Sequence, residues 1–203
     1  MEKIAAIVTR VRRESPDVVT IYFLLQNRAK LDYEAGQYIT VYFENSSAPE
    51  GKAYSLSSAP HEKWMSITVK KIGEYSGRLH ALRAGDVFAI SEAYGFFNPR
   101  TSQPIVAISA GCGIAPLWSI IKDEYWREKA RIAHVFYTNK TADDILFQHE
   151  ISDLHAQHPD LSVAHYITRQ PELGDAFRIG RIDIDAVAQL GDEARYLVCG
   201  SVE

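Results

Sequence analysis

Apolar and polar residues alternate through much of the first half of the chain. Val19, Ile21, Phe23 and Leu25 fall on one side of an extended segment, with Val18, Thr20, Tyr22 and Leu24 on the other. Ile39, Val41 and Phe43 alternate in the same way with Tyr38, Thr40 and Tyr42, and Met65, Ile67 and Val69 alternate with Trp64, Ser66, Thr68 and Lys70. A period of two, rich in β-branched and aromatic residues, predicts strands. Turn residues separate them: Ser15-Pro16-Asp17, Ala35-Gly36, the stretch 45–51 and Ala84-Gly85-Asp86. This spacing predicts a small antiparallel barrel of roughly five to seven strands. One short helix over 76–82 interrupts it, with Leu79 and Leu82 on a common face.

The period then changes. An apolar strand at 105–108 precedes Ile114, Leu117, Trp118 and Ile121, whose i, i+3, i+4, i+7 spacing predicts an amphipathic helix. Strands at 132–137, 161–167 and 196–199 alternate with helices at 146–155 and 184–190. Alternation of this kind implies a parallel sheet with crossover helices. The switch falls in a polar, proline-bracketed stretch at 98–104 that includes Pro99 and Arg100. The expected fold class is therefore a β-barrel plus an α/β unit, with domains at 1–101 and 104–203.

Composition narrows the function classes. A chain of 203 residues with 46% hydrophobic and 24% charged residues buries a substantial core, and its net charge of −4 argues against a nucleic-acid backbone as partner. Two cysteines, Cys112 and Cys199, make neither a disulfide framework nor a four-thiolate cluster. No stretch reaches the roughly 20 apolar residues of a membrane span, and the N-terminus carries no apolar signal core. A cytoplasmic location is the expectation.

Three segments carry candidate chemistry. Ser109-Ala110-Gly111-Cys112-Gly113-Ile114-Ala115-Pro116 joins a buried strand to an amphipathic helix. Glycines there let backbone approach a phosphate at a helix N-terminus, and Pro116 suits the first turn. The third glycine of the usual dinucleotide fingerprint is lacking, so a tight turn that binds nothing is the plain alternative. Lys52-Ala53-Tyr54-Ser55 sets a cation, an aromatic ring and a hydroxyl along one extended segment, with Lys52 and Tyr54 on one face and Ser55 on the other. An ordinary edge strand reads the same way. Lys70 to Leu79 leads into the short helix, with Ser76 at the expected N-cap; a simple capped helix is again the plain alternative.

Taken in series on this architecture, the segments resemble the ferredoxin–NADP reductase superfamily. Lys52-Ala53-Tyr54-Ser55 resembles its flavin motif Arg-x-Tyr-Ser/Thr, and Gly73 to Ser76 its pyrophosphate motif. Gly111 to Pro116 resembles its nicotinamide loop, and Tyr137-Thr138-Asn139-Lys140 with Asp144-Ile145-Leu146-Phe147 a further family segment. Cys199-Gly200-Ser201 resembles Cys-Gly-Pro, and Gly85-Asp86 with Tyr94-Gly95-Phe96-Phe97 fits its barrel closure.

The resemblance implies FAD and NADH or NADPH as cofactors. Tyr54 would pack on the flavin ring, Ser55 would bond near its N5, and Lys52 would pair with its phosphate. Lysine keeps the family's charge there and loses the arginine fork, which bears on FAD against FMN. Thr68, Val69 and Lys70 would line the flavin through backbone, and Glu74, Tyr75 and Ser76 would hold the pyrophosphate. Gly111, Cys112, Gly113 and Pro116 would shape the nicotinamide loop, with Cys112 a packing residue. Cys199 and Gly200 would position the nicotinamide ring, making Ser55 and Cys199 the residues at the reacting atoms. Lys140 is a candidate for a 2′-phosphate, but Asp143 and Asp144 beside it oppose one, which favours NADH.

The implied function is an NAD(P)H-dependent flavoprotein reductase that delivers electrons to an oxygenase, a ferredoxin or free flavin. A non-catalytic flavin-binding subunit dependent on a partner is the alternative, and a flavin-free binding protein is a third. Trp118 reads as core, the run 124–129 as a solvated helix end, and His149, His155 and His158 as ordinary helix residues. In this family the Cys-Gly motif leads into a further helix, so the expectation is that the chain, which stops at Glu203 shortly after Cys199, is shorter than its natural length.

Overall fold

A computed structural model describes residues 3–27, 29–98, 101–129 and 131–200. Pro99, Arg100, Ser201 and Glu203 lie outside the described residues.

Six strands build the first sheet: β1 (Ile4–Ser15), β2 (Val18–Leu25), β3 (Tyr38–Tyr42), β4 (Lys52–Ser55), β5 (Met65–Lys70) and β6 (Val87–Ile90). Their order is β4-β3-β6-β1-β2-β5, and every pairing is antiparallel. The ends of this sheet meet where Leu56 bridges Ile67 and the Ser57 amide donates to the Ser66 carbonyl at 2.8 Å, closing a barrel. The alternating residues Ile21, Phe23, Ile39, Leu56, Met65, Ile67 and Ile90 point inward and are fully buried. Helix α1 (Glu74–Ala81) plugs the barrel with Leu79. It starts two residues before the position expected from the sequence, for a reason given below.

β1 is the longest barrel strand, and its pattern does not announce it. Ala6 and Val8 face the core, but Arg10, Arg12 and Arg13 follow, and the register shifts between Val8 and Arg10. A bulge lets the strand bend from β6 toward β2.

The second sheet is parallel, in the order β10-β9-β8-β7-β11. Its strands are β7 (Ile105–Ala110), β8 (Ile132–Asn139), β9 (Ser162–Ile167), β10 (Phe177–Ile179) and β11 (Arg195–Cys199). Helices α2 (Ile114–Trp126), α3 (Gln148–Gln157) and α4 (Ile184–Ala188) connect them. The core of this half gathers Ile105, Ala107, Leu117, Trp118, Val135, Tyr137, Phe147 and Leu197. α3 begins two residues later than its apolar pattern predicts. Phe147 adopts a left-handed φ of +59° and stacks on Trp118 at 5.8 Å, so Leu146 and Phe147 are core anchors ahead of the helix. α4 spans five residues, shorter than the expected 184–190.

The run 124–129 is not uniformly solvated. Glu124 is 5% exposed and receives Arg131 through two bonds of 2.7 and 2.5 Å, while Trp126 is 61% exposed. The two halves share apolar packing, since Val18 and Ala35 from the barrel half join the core cluster of the parallel sheet.

Candidate functional site

On the barrel side the site begins with a gap. β4 and β5 end the sheet order, and the backbone joins them through the Leu56–Ile67 bridge and the adjoining Ser57–Ser66 bond. Beyond it, residues 52–55 and 68–70 form the two lips of an open seam. Strand edges without a ladder partner present free backbone donors and acceptors. The register sets Tyr54 opposite the core residue Ile39 and Ser55 opposite Tyr38, so the two point to opposite faces, as alternation requires. Tyr54 packs partly against the barrel core, and burial pushes its phenol up to about 12. The Lys52 ammonium lies 5.6 Å from the centre of the Tyr75 ring, and Ala53 is exposed.

Side chains on the other lip are already engaged. The Thr68 hydroxyl bonds Thr20 and Ser57 at 2.9 Å each, Val69 is buried in the barrel, and the Lys70 ammonium is 3.2 Å from Asp17.

At the barrel mouth the expected N-cap is corrected. Gly73 caps α1, and Ser76 stands at the third helical position with 4% exposure. Its Oγ accepts the amides of Ile72 at 2.9 Å and Gly73 at 3.1 Å, which folds the preceding turn back onto the helix and starts it early. Tyr75 donates its hydroxyl to the Val41 carbonyl, and Glu74 accepts from Ser47 at 2.6 Å. The Tyr75 and Ser76 side chains therefore hold the helix in place. What the turn offers a ligand is the first-turn amides of Glu74, Tyr75 and Ser76, which have no intrahelical acceptor by position.

The nucleotide side forms at the point where strand order reverses, between β7 and β11. Crevices at the carboxyl ends of such strands are where this class of sheet binds ligands. β7 ends in the turn Gly111–Gly113, and Pro116 sits in the first turn of α2. A Cβ on Gly113 would lie 2.2 Å from the Cys199 carbonyl oxygen, and one on Gly200 would lie 2.7 Å from the Ala110 Cβ. The two chain segments thus interlock through positions with no side chain. Gly111 differs: its φ is +50° and nothing lies within 4 Å of the Cβ position, so its outer side is open. Ser109 donates to the Cys199 carbonyl at 3.2 Å. Tyr137 donates to the Gly111 carbonyl at 3.1 Å and accepts the Leu146 amide at 3.2 Å, propping the loop from beneath.

Burial pushes the Cys112 thiol up to about 11, against the opposing charge of Lys70, and raises Cys199 as well. Both sulfurs are neutral, partly buried packing groups at neutral pH, and both are unpaired. Lys140 is exposed just past β8, where its carbonyl accepts the Arg169 amide at 2.8 Å.

β5 lies against the Gly111–Gly113 turn, so the two half-sites meet across the junction of the sheets. What holds them there was barely visible in the sequence. Ser119 on α2 donates to the Ser58 carbonyl at 2.6 Å, and Tyr33 shares a bond with the Ser58 hydroxyl at 2.8 Å. Lys122 pairs with Glu62, and Arg12 with Glu150, across the same junction. Single serines and charges of this kind carry no periodic signal. The histidines have local roles: His155 lies 2.7 Å from the Leu161 carbonyl and His158 packs on Tyr125.

An antiparallel barrel with a split seam is thus set against the switch point of a parallel sheet, and each of the two parts matches a known domain. Residues 5–98 match the oxidoreductase FAD-binding domain and 107–203 the oxidoreductase NAD-binding domain. The chain is 30% identical over 208 residues to a flavohemoprotein of Bacillus subtilis, covering 96% of this chain and 52% of that protein. It is 28% identical over 204 residues to the NADH oxidoreductase HCR of Escherichia coli, covering 95% and 59%. It thus spans a little over half the length of these relatives. The flavohem-like FAD/NAD-binding domain of the Vibrio cholerae nitric oxide dioxygenase superimposes with a TM-score of 0.84 at 24% identity, covering 99% of this chain and 100% of that one. The chain thus carries an oxidoreductase FAD-binding domain followed by an oxidoreductase NAD-binding domain, and it shares its fold with a ferredoxin NADP+ reductase from Neisseria gonorrhoeae, at a TM-score of 0.80 and 18% identity over 100% of this chain and 87% of that one.

Proposed function

We propose that this chain is an NAD(P)H-dependent flavoprotein reductase, with residues 1–101 serving FAD and 104–203 serving the nicotinamide nucleotide. The observation that carries this reading is the meeting of the β4–β5 seam with the Gly111–Gly113 turn. When bound, FAD takes a hydride from the nicotinamide ring and hands electrons on to an acceptor. The residues fit that group. The seam offers unpaired strand edges, Tyr54 a ring to stack, Lys52 a cation for a phosphate and Ser55 a hydroxyl for the ring edge. The first-turn amides of α1 suit a pyrophosphate. Gly111 leaves room for a second one, while Cys199 and Gly200 close the floor beneath the nicotinamide. Nothing in this chemistry requires a general base, and the neutral thiols supply none.

NADH is the favoured donor in this reading. Asp143 and Asp144 stand beside Lys140 at the end of β8, and a 2′-phosphate there meets their charge. The acceptor is a protein or a small molecule such as free flavin; the flavohemoprotein relative joins flavin and haem by name, and a haem protein is one such acceptor. Two unpaired cysteines support a reducing, cytoplasmic compartment.

The test is a visible absorption spectrum of the purified protein, then anaerobic titration with NADH and with NADPH. A flavin spectrum bleached by NADH at lower concentration than by NADPH is expected, with ferricyanide reduced by the isolated chain. A preparation that stays colourless with added FAD overturns the reading. Tyr54→Ala is expected to lose roughly tenfold or more in FAD affinity, from the stacking of one aromatic ring worth on the order of 1–3 kcal/mol.

A further inference from the structure

α2 connects the nucleotide turn to the barrel along a single rigid element. It begins at the Gly111–Gly113 turn, and six residues beyond Gly113 its Ser119 donates to the Ser58 carbonyl at 2.6 Å. One turn further on, Lys122 donates to Glu62, a carboxylate that also accepts the Ala59 amide at 2.5 Å. The 58–62 turn is held on its other side by Lys30, which donates to the carbonyls of Pro60 at 3.1 Å and Glu62 at 2.6 Å. The same turn continues directly from Ser55. Six helical residues are about 9 Å of axis, and three extended residues about 10 Å of chain. Both half-sites therefore lie within about 10 Å of one polar junction.

The Lys122 side chain is only one-fifth exposed and crosses the Trp118 ring at 5.7 Å. It lines, with Glu62, Trp118, Arg12 and Glu150, an interfacial cavity of about 80 Å³. A partly desolvated cation that must reach a carboxylate on the other half tolerates few relative placements of the two.

We propose that Lys122 and Glu62, with Ser119 on Ser58, are positioning residues that set the spacing between the flavin seam and the nicotinamide loop. The inference rests on the reductase reading above. Its reach comes from the steepness of reaction rate in geometry, since a misplacement of about 1 Å far from the reacting atoms can cost on the order of a hundredfold.

The experiment compares wild type, Lys122→Met, Lys122→Arg and Ser119→Ala as FAD-loaded proteins. Bound FAD per chain, NAD⁺ affinity by calorimetry and the single-turnover rate of flavin bleaching at saturating NADH are measured. Hydrogen exchange on the FAD-free proteins supplies a readout independent of turnover. Lys122→Met is expected to keep its FAD content, and its NAD⁺ affinity within about twofold, while the saturating rate falls about tenfold or more. Exchange should rise together in 56–62 and 111–119, and Lys122→Arg should recover most of the rate. An unchanged rate, or a rate that falls only in step with lost FAD, overturns the inference. If Lys122→Met does not fold, Ser119→Ala decides: a slower rate at unchanged NAD⁺ affinity supports the inference and wild-type behaviour overturns it. A wild type that takes up no FAD overturns the reductase reading itself and the inference with it, whereas a normal wild type beside equally fast variants sinks the inference alone.

Discussion

Gly113 and Gly111 stand two residues apart in one turn and need to be glycine for different reasons. At Gly113 the obstacle is backbone: the Cys199 carbonyl oxygen lies 2.2 Å from where an alanine methyl would sit, and backbone in a strand cannot swing aside. At Gly111 the space is open and only the left-handed φ resists a side chain. Gly113→Ala should therefore destabilise by about 3 kcal/mol through overpacking. Gly111→Ala should cost about 1–2 kcal/mol from conformation alone. Urea unfolding midpoints of the two variants check the order, and equal losses would refute the distinction. The residue types in this turn were legible in the sequence, because Gly-x-Gly between a strand and a helix has few uses. The identity of the obstacle was not, since Cys199 lies far along the chain.

Among the elements, strands with one dry face declared themselves. Ile21 and Phe23, Ile39 and Val41, and Met65 and Ile67 alternate cleanly because their outer neighbours are polar. Those outer neighbours were the harder part. Thr20, Ser66 and Thr68 stand at the outward positions of the alternation, yet all are buried, and on this side Tyr22 and Ser66 share a cavity with Trp118 and Phe147 of the other half. Their hydroxyls satisfy one another, Thr20 to Thr68 to Ser57 to Ser66, each step 2.9 Å. Polar pattern reports the face of a strand, and only tertiary contact reports whether that face is wet. β1 and β10 escaped for opposite reasons: β1 is interrupted by arginines, of which Arg12 reaches Glu150 across the junction, and β10 is too short to show a period. Helix α1 illustrates the same limit at its boundary. Ser76 looks like a cap and acts three positions inside the helix, gathering the Ile72 and Gly73 amides. Ser76→Ala removes both acceptor contacts and should cost about 1–2 kcal/mol. It should also weaken FAD retention, because the same turn presents the amides proposed to hold the pyrophosphate. Thermal denaturation of the FAD-free protein separates the first effect from the second, and unaltered stability would show that solvent replaces the hydroxyl.

For the molecule as a whole, an antiparallel sheet and a parallel one pack as one body. Val18 and Ala35 pack into the core of the parallel sheet, and Arg12–Glu150, Lys122–Glu62 and Ser119–Ser58 cross the same junction. Exposed ion pairs contribute little, but partly desolvated ones that share a junction with apolar packing resist separation. One cooperative unfolding transition is therefore expected, with far-ultraviolet and tryptophan signals coincident, since Trp118 reports from the junction. Two resolved transitions would show that the halves melt independently.

The interlock of Gly113 with Cys199 and Gly200 also has a consequence in time. Chain synthesis delivers the barrel strands and their closing contacts before the parallel sheet, ending with the Tyr38–Tyr94 bridge. The nucleotide turn is made soon after, but its rear wall is β11, some ninety residues later. Pairing over that separation is slow relative to local structure, because the intervening chain must be drawn into order before the contact forms. A nascent chain thus completes the β4–β5 seam well before β11 backs the Gly111–Gly113 turn, and the two proposed half-sites mature at different times.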